Sequence, residues 1–282
     1  MSFLNSVFRS LVDLLLLPFL TLPAWVSLVP ISLVFGIVAL LVWKHASNQS
    51  ALQQTKDRIA ACFYEIRLFN DDLRAILRAQ LNLIRHNAKY LVLNLVPFFV
   101  IFVPTLPLIA QLQFHYGYEG LEPGRTTTLT VQLADGEEVA AAGADRPVLE
   151  LRAPDGVEVQ SAGVWIPSLG QMAWRIAGAE PGHYDLELSL AGEVVTKSLF
   201  VQGEREVIAR RSPIRQQPDF LGQLLYPAEP PIGSSSRIRS IEIDYPTTDV
   251  HLFGLGLQWM IWFVILSIAF ALLLRKRFDV TF

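Results

Sequence analysis

Residues 90–112 read YLVLNLVPFFVIFVPTLPLIAQL, twenty-three consecutive positions without Asp, Glu, Lys or Arg. A helix crosses the hydrocarbon core of a bilayer with about 20 mostly apolar residues. One charge at its centre costs roughly 2.5–3.5 kcal/mol on insertion scales. The stretch therefore predicts a transmembrane helix. Two more charge-free windows, AWVSLVPISLVFGIVALLVW at 24–43 and LGLQWMIWFVILSIAFALLL at 255–274, raise the expected number of spans to three. Trp25 and Trp43 would stand ~27 Å apart on one helix, close to the core thickness. Trp259 and Trp262 mark the start of the third window, where an indole ring is at home between lipid and water.

Working outward, the composition agrees with lipid exposure. Hydrophobic residues make up 52% of the 282 and charged residues 17%, against ~25% charged in soluble domains. Net charge is −3, so charge distribution is more informative than its sum. Residues 44–89 hold eight Lys/Arg and four Asp/Glu, and the tail opens Arg275-Lys276-Arg277, whereas residues 113–254 hold 20 Asp/Glu against 11 Lys/Arg. Basic loops stay in the cytoplasm. The expectation is an integral protein of a bacterial inner (cytoplasmic) membrane, with 44–89 and the 275–282 basic tail inside. Residues 113–254 and the N-terminus then lie outside.

Residues 1–23 combine Arg9, Asp13 and four consecutive leucines with Pro18 and Pro23. They read as an interfacial helix, with a re-entrant half-span and a signal segment as alternatives. Pro18, Pro23 and Pro30 disfavour one straight helix from 11 to 43. Pro97, Pro104 and Pro107 each remove a backbone donor inside the second span. A kinked, locally open helix is expected there, either as ordinary membrane-helix proline or as the lining of a gated cavity. Asn94 and Gln111 in the second span, and Gln258 and Ser267 in the third, either join helices or line a hydrophilic groove.

The basic segment 44–89 has no Pro or Gly between 53 and 87. Ile59, Ile66, Phe69, Leu73 and Ile76 recur at coiled-coil spacing together with Cys62 and Leu83, predicting a packing stripe. Arg67, Arg74, Arg78 and Arg85 follow at intervals of 7, 4 and 7 and form a basic face. Asn70-Asp71-Asp72 offers helix caps, so the segment reads as a cytoplasmic hairpin rather than one ~50 Å helix. Its basic face is solvated charge, a seat for anionic lipid headgroups, or a contact for ribosomal RNA phosphates.

From 113 to 203 the period changes to two. Strands are expected at Thr126–Leu133, 148–152, 157–160, 172–176, 184–190 and 194–201, with turns at 134–136, 154–156, 181–182 and 191–192. Trp165 and Trp174 are candidate core residues. The pattern predicts an immunoglobulin-like sandwich, and residues 181–188, PGHYDLEL, resemble the late strands of bacterial immunoglobulin-like modules. Residues 204–254 are Pro-rich and read as a linker with one strand near 239–244. The fold class is thus an α-helical membrane protein with three transmembrane helices and a cytoplasmic hairpin, carrying an all-β sandwich on the exported side.

No chemistry assembles from the sequence. His45, His86, His115, His183 and His251 lack metal-ligand spacing, and no phosphate loop, dinucleotide fingerprint or nucleophile elbow is present. Acidic pairs such as Glu137-Glu138 read as turn residues. With one cysteine, Cys62, no internal disulfide can form. No enzyme, cofactor or DNA partner is implied; membrane lipid is the one partner the composition requires.

The order of windows 24–43, 53–87, 90–112 and 255–274 resembles the YidC/Oxa/Alb insertase superfamily. The nearest likeness is its three-span branch, which has an outside N-terminus and a charged cytoplasmic helical segment after the first span. The resemblance covers about half the chain and is architectural. It implies insertase-like or chaperone-like assistance to nascent membrane proteins, with the ribosome as a further partner. Two features depart from the family: no span here carries a basic residue, and an exported domain separates the last two spans. That domain favours the alternative of a non-catalytic scaffold subunit that binds another envelope protein.

Overall fold

The chain is described by a computed structural model covering residues 2–20, 22–134, 148–203, 208–278 and 280. It opens with helix α1, Ser2–Leu16, which tightens into a 3₁₀ turn at Leu17–Phe19 where Pro18 enters. Then come α2, Ala24–Ala46, α3, Gln49–Leu68, and α4, Leu73–Tyr116. Two compact units are distinguished, one comprising Met1–Leu28 and Pro107–Trp262, the other Val29–Leu106 and Phe263–Phe282.

In the second unit, α3 begins at Asn48, whose side chain accepts a hydrogen bond from the Ala51 amide at 3.0 Å. It ends at Leu68. The break falls at residues 69–72, and Asp72 Oδ1 accepts from the amides of Arg74 and Ala75 at 2.8 and 3.2 Å, capping α4. The cap chemistry of Asp72 therefore divides the basic segment. From there α4 runs unbroken for 44 residues, ~66 Å. The hairpin's second arm and the second apolar window are thus one helix, not two elements meeting at residue 89. No local opening interrupts it at Pro97, Pro104 or Pro107. The side chains of Asn94 and Thr105 donate to the Tyr90 and Ile101 carbonyls, both at 2.7 Å, supplementing the ladder around the prolines.

Among the described residues, the first unit contains three antiparallel sheets, the two larger of which share a core. The larger uses β1, Thr126–Leu133, β3, Val157–Val159, β4, Val164–Ile166, β5, Gln171–Gly178, β8, Ile214–Gln216, and β9, Ile238–Ile243. Its order is β3-β5-β1-β9-β8, with β4 also on β5. The smaller is β2, Leu149–Arg152, β6, Gly182–Leu190, and β7, Glu193–Val201, in order β2-β6-β7. Alternation aims Leu129, Val131, Trp174, Ile176 and Ile241 of the first sheet and Leu186, Leu188 and Leu199 of the second into one core. Trp165 packs on its margin. The β6–β7 hairpin turns through Ala191 and Gly192, both at positive φ (48° and 86°), the backbone that a two-residue hairpin loop demands. Residues 135–147, including most of the turn expected at 134–136 and the pair Glu137-Glu138, lie outside the described residues.

The strand expected near 239–244 is β9, which lies between β1 and β8 inside the larger sheet and buries Ile238, Ile241 and Ile243; the segment also supplies β8 and a short helix α5, Phe220–Leu225, so it is more than a linker. The third apolar window is shorter than it reads. Residues Leu255–Gln258 form β11, paired with β10, Asp249–Leu252, and only Trp259–Leu274 is helical (α6). Two helices, α2 and α4, are long and apolar enough to cross a membrane, and α6, at 16 residues, falls below that length. Gly256, bracketed by Leu255 and Leu257, lets a hydropathy window run across a strand.

Lys197 on β7 is fully buried, its Nζ 2.5 Å from Glu229 Oε2 and donating to the Ser212 carbonyl. Ser198 and Ser212 hydroxyls also donate to the carboxylate. Burial alone would raise the Glu229 carboxyl, but Lys197 and these hydrogen bonds outweigh it and hold it below the usual carboxylate range. Burial depresses the Lys197 ammonium. Glu229→Gln, which strands a buried ammonium, should lower stability by about 3–5 kcal/mol, read by thermal unfolding of the detergent-solubilised chain. Adding Lys197→Met to it should recover most of that loss. Because the folded carboxyl sits low, its contribution is complete above the ordinary carboxylate range and disappears as pH falls through the lowered value. The Glu229→Gln chain should lack that acid-side decline.

Candidate functional site

The hairpin α3–α4 brings together most of the residues singled out by pattern. Lys56 on α3 lies over the Tyr90 ring of α4, 5.9 Å from its centroid, so the arms run antiparallel from the break. The buried positions of the seam are Leu52, Thr55, Cys62 and Ala79, with Ile59, Ile66 and Ile76 half-buried beside them. Cys62 acts as a small packing side chain. The expected stripe therefore divides. Its three isoleucines serve the seam, whereas Phe69 (48% exposed) and Leu73 (69%) stand at the tip in solvent. Phe63, Leu68 and Leu77 are exposed with them. The heptad pattern misplaces Phe69 and Leu73 because it assumes a straight phase, and the break at 69–72 resets it.

Arg67, Arg74, Arg78 and Arg85 are all exposed. Arg74, Arg78 and Arg85 lie on α4 at spacings of 4 and 7 and share one face, whereas Arg67 lies across the break on α3. Arg67, Arg74 and Arg78 flank the tip, and Arg85 lies two turns from Arg78 toward the base of the hairpin. There a cavity of about 330 Å³ is lined by Arg58, Asn82, Arg85, His86 and Lys89. Sequence reading missed Arg58, Asn82, His86 and Lys89 as a group. The available signal was the i, i+3, i+4 and i+7 spacing of 82, 85, 86 and 89, which places them on one side of a helix.

The polar and proline positions of the second window separate too. Asn94 is half-buried and spends its amide on its own helix. Pro97 and Pro107 are buried, whereas Pro104 is exposed. Gln111 is 1% exposed, and neither its Nε2 nor its Oε1 has a hydrogen-bond partner. Gln258 lies outside the helix expected to hold it: it ends β11, exposed and opposite Asp249. Trp259 and Trp262, expected at an interface, are buried. Trp259 stacks on Tyr116 and donates to Gln113 Oε1 at 2.7 Å, and Trp262 donates to the Val250 carbonyl at 2.9 Å. Ser27 and Tyr116 share a 2.6 Å hydrogen bond in the same unit.

An ionic tie that the sequence did not reveal joins α1 to the β region. Asp13 Oδ1 accepts from Arg210 at 2.7 Å and lies 3.7 Å from the buried His115 imidazole, and Arg9 sits one turn before Asp13. Arg211 donates to the His115 carbonyl at 2.9 Å while lying over the Phe200 ring. The sequence signal was an Arg-x-x-x-Asp pair in an otherwise uncharged helix, which implies a polar partner elsewhere. The tie holds elements together.

Within the second unit α2 and α6 pack closely. Phe35 and Phe263 rings lie 5.0 Å apart, and a Cβ on Gly36 would fall 2.9 Å from the Ser267 carbonyl. The helix contact of Ser267 is thus made by its backbone; its hydroxyl, like that of Ser32, is buried without a partner. No protein-family model, curated protein or solved structure matches this chain.

A buried amide with both groups unpaired costs about 1–3 kcal/mol per group. Gln111→Leu should therefore leave the melting temperature unchanged or raise it. A fall of several degrees in detergent would show that Gln111 has a partner in solution, such as an ordered water.

Proposed function

We propose that this chain is an integral membrane protein that assists insertion or assembly of other membrane proteins, with the α3–α4 hairpin as the receiving element. The observation carrying the reading is the hairpin tip, where Leu68, Phe69, Leu73 and Leu77 stand exposed between Arg67, Arg74 and Arg78. Exposed apolar side chains ringed by cations suit a passing hydrophobic segment and its basic flanks poorly as a permanent seal, but well as a transient contact. α2 and α4 are long and apolar enough to cross a bilayer, and only 11% of the most apolar window of α4 is buried, which fits a lipid-facing helix better than a soluble core helix.

On this reading α2 and α4 are the two crossings, and the positive-inside rule places the basic hairpin between them in the cytoplasm of a bacterial cell and the acidic β region outside. We read that region as an immunoglobulin-like sandwich, α1 as an interfacial helix, and the whole as a relative of the three-span YidC/Oxa/Alb insertases. A scaffold role is the second reading. It draws on Val164 and Leu169, exposed at 57% and 56% beside β4, a place for an envelope protein to dock.

In-cell photocrosslinking separates the two. Probes at Phe69, Leu73 and Asn94 should capture many different newly made membrane proteins. A single recurrent partner at Val164, with no nascent chain at the hairpin, would overturn the insertase reading in favour of the scaffold.

A further inference from the structure

The geometry points to a phosphate-binding site for an anionic phospholipid headgroup at the base of the hairpin, between Arg58 of α3 and Arg85 and Lys89 of α4. The inference rests on the chain being embedded in a membrane, and not on its assisting insertion.

The lining of the 330 Å³ cavity is Arg58, Asn82, Arg85, His86 and Lys89. It offers two guanidinium groups and a lysine, the hydrogen-bonding side chains of Asn82 and His86, and no carboxylate. Among the described residues none of the three cations has an ion-pair partner. Asp57, beside Arg58 in sequence, instead accepts from Gln53 at 3.1 Å. Arg85 and Lys89 are a like-charge i, i+4 pair, which by itself disfavours the helix. An anion between the arms reverses that sign. Guanidinium groups offer paired N–H donors to phosphate oxygens, and a lysine adds a point charge.

Position selects the lipid over other phosphates. Lys89 precedes the first residue of the charge-free run by one position and Arg85 by five, ~1.5 and ~7.5 Å along the helix. The headgroup layer is roughly 5–8 Å deep on each face of a bilayer. The cavity therefore falls where lipid phosphates lie, whereas RNA approaching from the cytoplasm would meet Arg67, Arg74 and Arg78 first. Lys56, held over Tyr90, adds a fourth positive charge at the same level.

The test uses the full chain in neutral detergent, with binding of dioleoylphosphatidylglycerol and dioleoylphosphatidylcholine compared by native mass spectrometry. Two charge-matched variants are needed: Arg58→Gln/Arg85→Gln/Lys89→Gln at the base and Arg67→Gln/Arg74→Gln/Arg78→Gln at the tip. The wild type and the tip variant should prefer phosphatidylglycerol, and the base variant should lose that preference by about tenfold or more. Equal losses in both variants, or no preference in the wild type, would overturn the site. Displacement of the lipid by millimolar inorganic phosphate would reassign it to a free anion, and RNA co-purifying only with intact base residues would reassign it to nucleic acid. If the triple variant is misfolded by its melting curve, Arg58→Gln alone, on the exposed arm, carries the same comparison. Extraction of the wild type from membranes by alkaline carbonate without detergent would mark failure of the membrane reading separately.

Discussion

Helix α4 runs unbroken from Leu73 to Tyr116 although Pro97, Pro104 and Pro107 each remove one of its backbone donors, and continuity has consequences for every residue on it. Positions 79, 86, 90 and 97 recur on one side of a helix with 3.6 residues per turn. Ala79 and Pro97 are buried and His86 and Tyr90 half-buried. The face that seals the hairpin therefore continues into the apolar run without a change of phase. The residues opposite, from Leu81 and Ile84 to Leu91, Val92 and Val103, remain exposed. An insertion of one residue between Lys89 and Tyr90 would rotate the two portions by about 100° and take Tyr90 and Pro97 out of line with Ala79 and His86.

The first unit solves a different problem. Its larger sheet recruits β8 and β9 from a stretch whose prolines and serines look structureless. Recruiting them brings Glu229 against Lys197. A buried ion pair of this kind rarely adds net stability over an apolar replacement, but loss of one partner is severe. The pair, with the Ser198 and Ser212 donors, ties the segment after β7 to strand β7 at one position. Tyr245, whose hydroxyl accepts the Phe200 amide at 2.8 Å, fixes the segment again after β9.

What the sequence made legible follows from how local each signal is. The hairpin break at 70–72 was visible because an Asp cap acts over three residues, and the strands near 126–133, 184–190 and 194–201 because alternation is a nearest-neighbour property. Gln258 and the early part of the third window were misplaced because hydropathy counts side chains and cannot see that Leu255 and Leu257 alternate across a strand. Trp259 and Trp262 were assigned to an interface from residue type alone, whereas their N–H groups are spent on Gln113 and Val250. The Asp13–Arg210 tie spans 197 positions, and no local pattern reports a contact of that separation. Arg85 illustrates the intermediate case: its charge was legible, but its meeting with Arg58 depended on the antiparallel return of α4.

The tip and the base of the hairpin place opposite demands on the same scaffold. At the base, cations converge on a cavity and are held there by the narrow seam of Thr55, Cys62 and Ala79, whose small side chains let the arms approach. At the tip, Leu68 and Leu73 project at 74% and 69% exposure, and a cluster of that kind on a soluble surface marks a binding face. Under the proposed function, an apolar tip would favour contact with a hydrophobic client but would also draw the hairpin down onto lipid. Arg67, Arg74 and Arg78 would oppose that collapse, because each would have to be partly desolvated to let the apolar side chains insert. With the proposed headgroup site at the base, the two sets of charges would keep the hairpin upright with its apolar end free, and removal of either set should change where the tip resides.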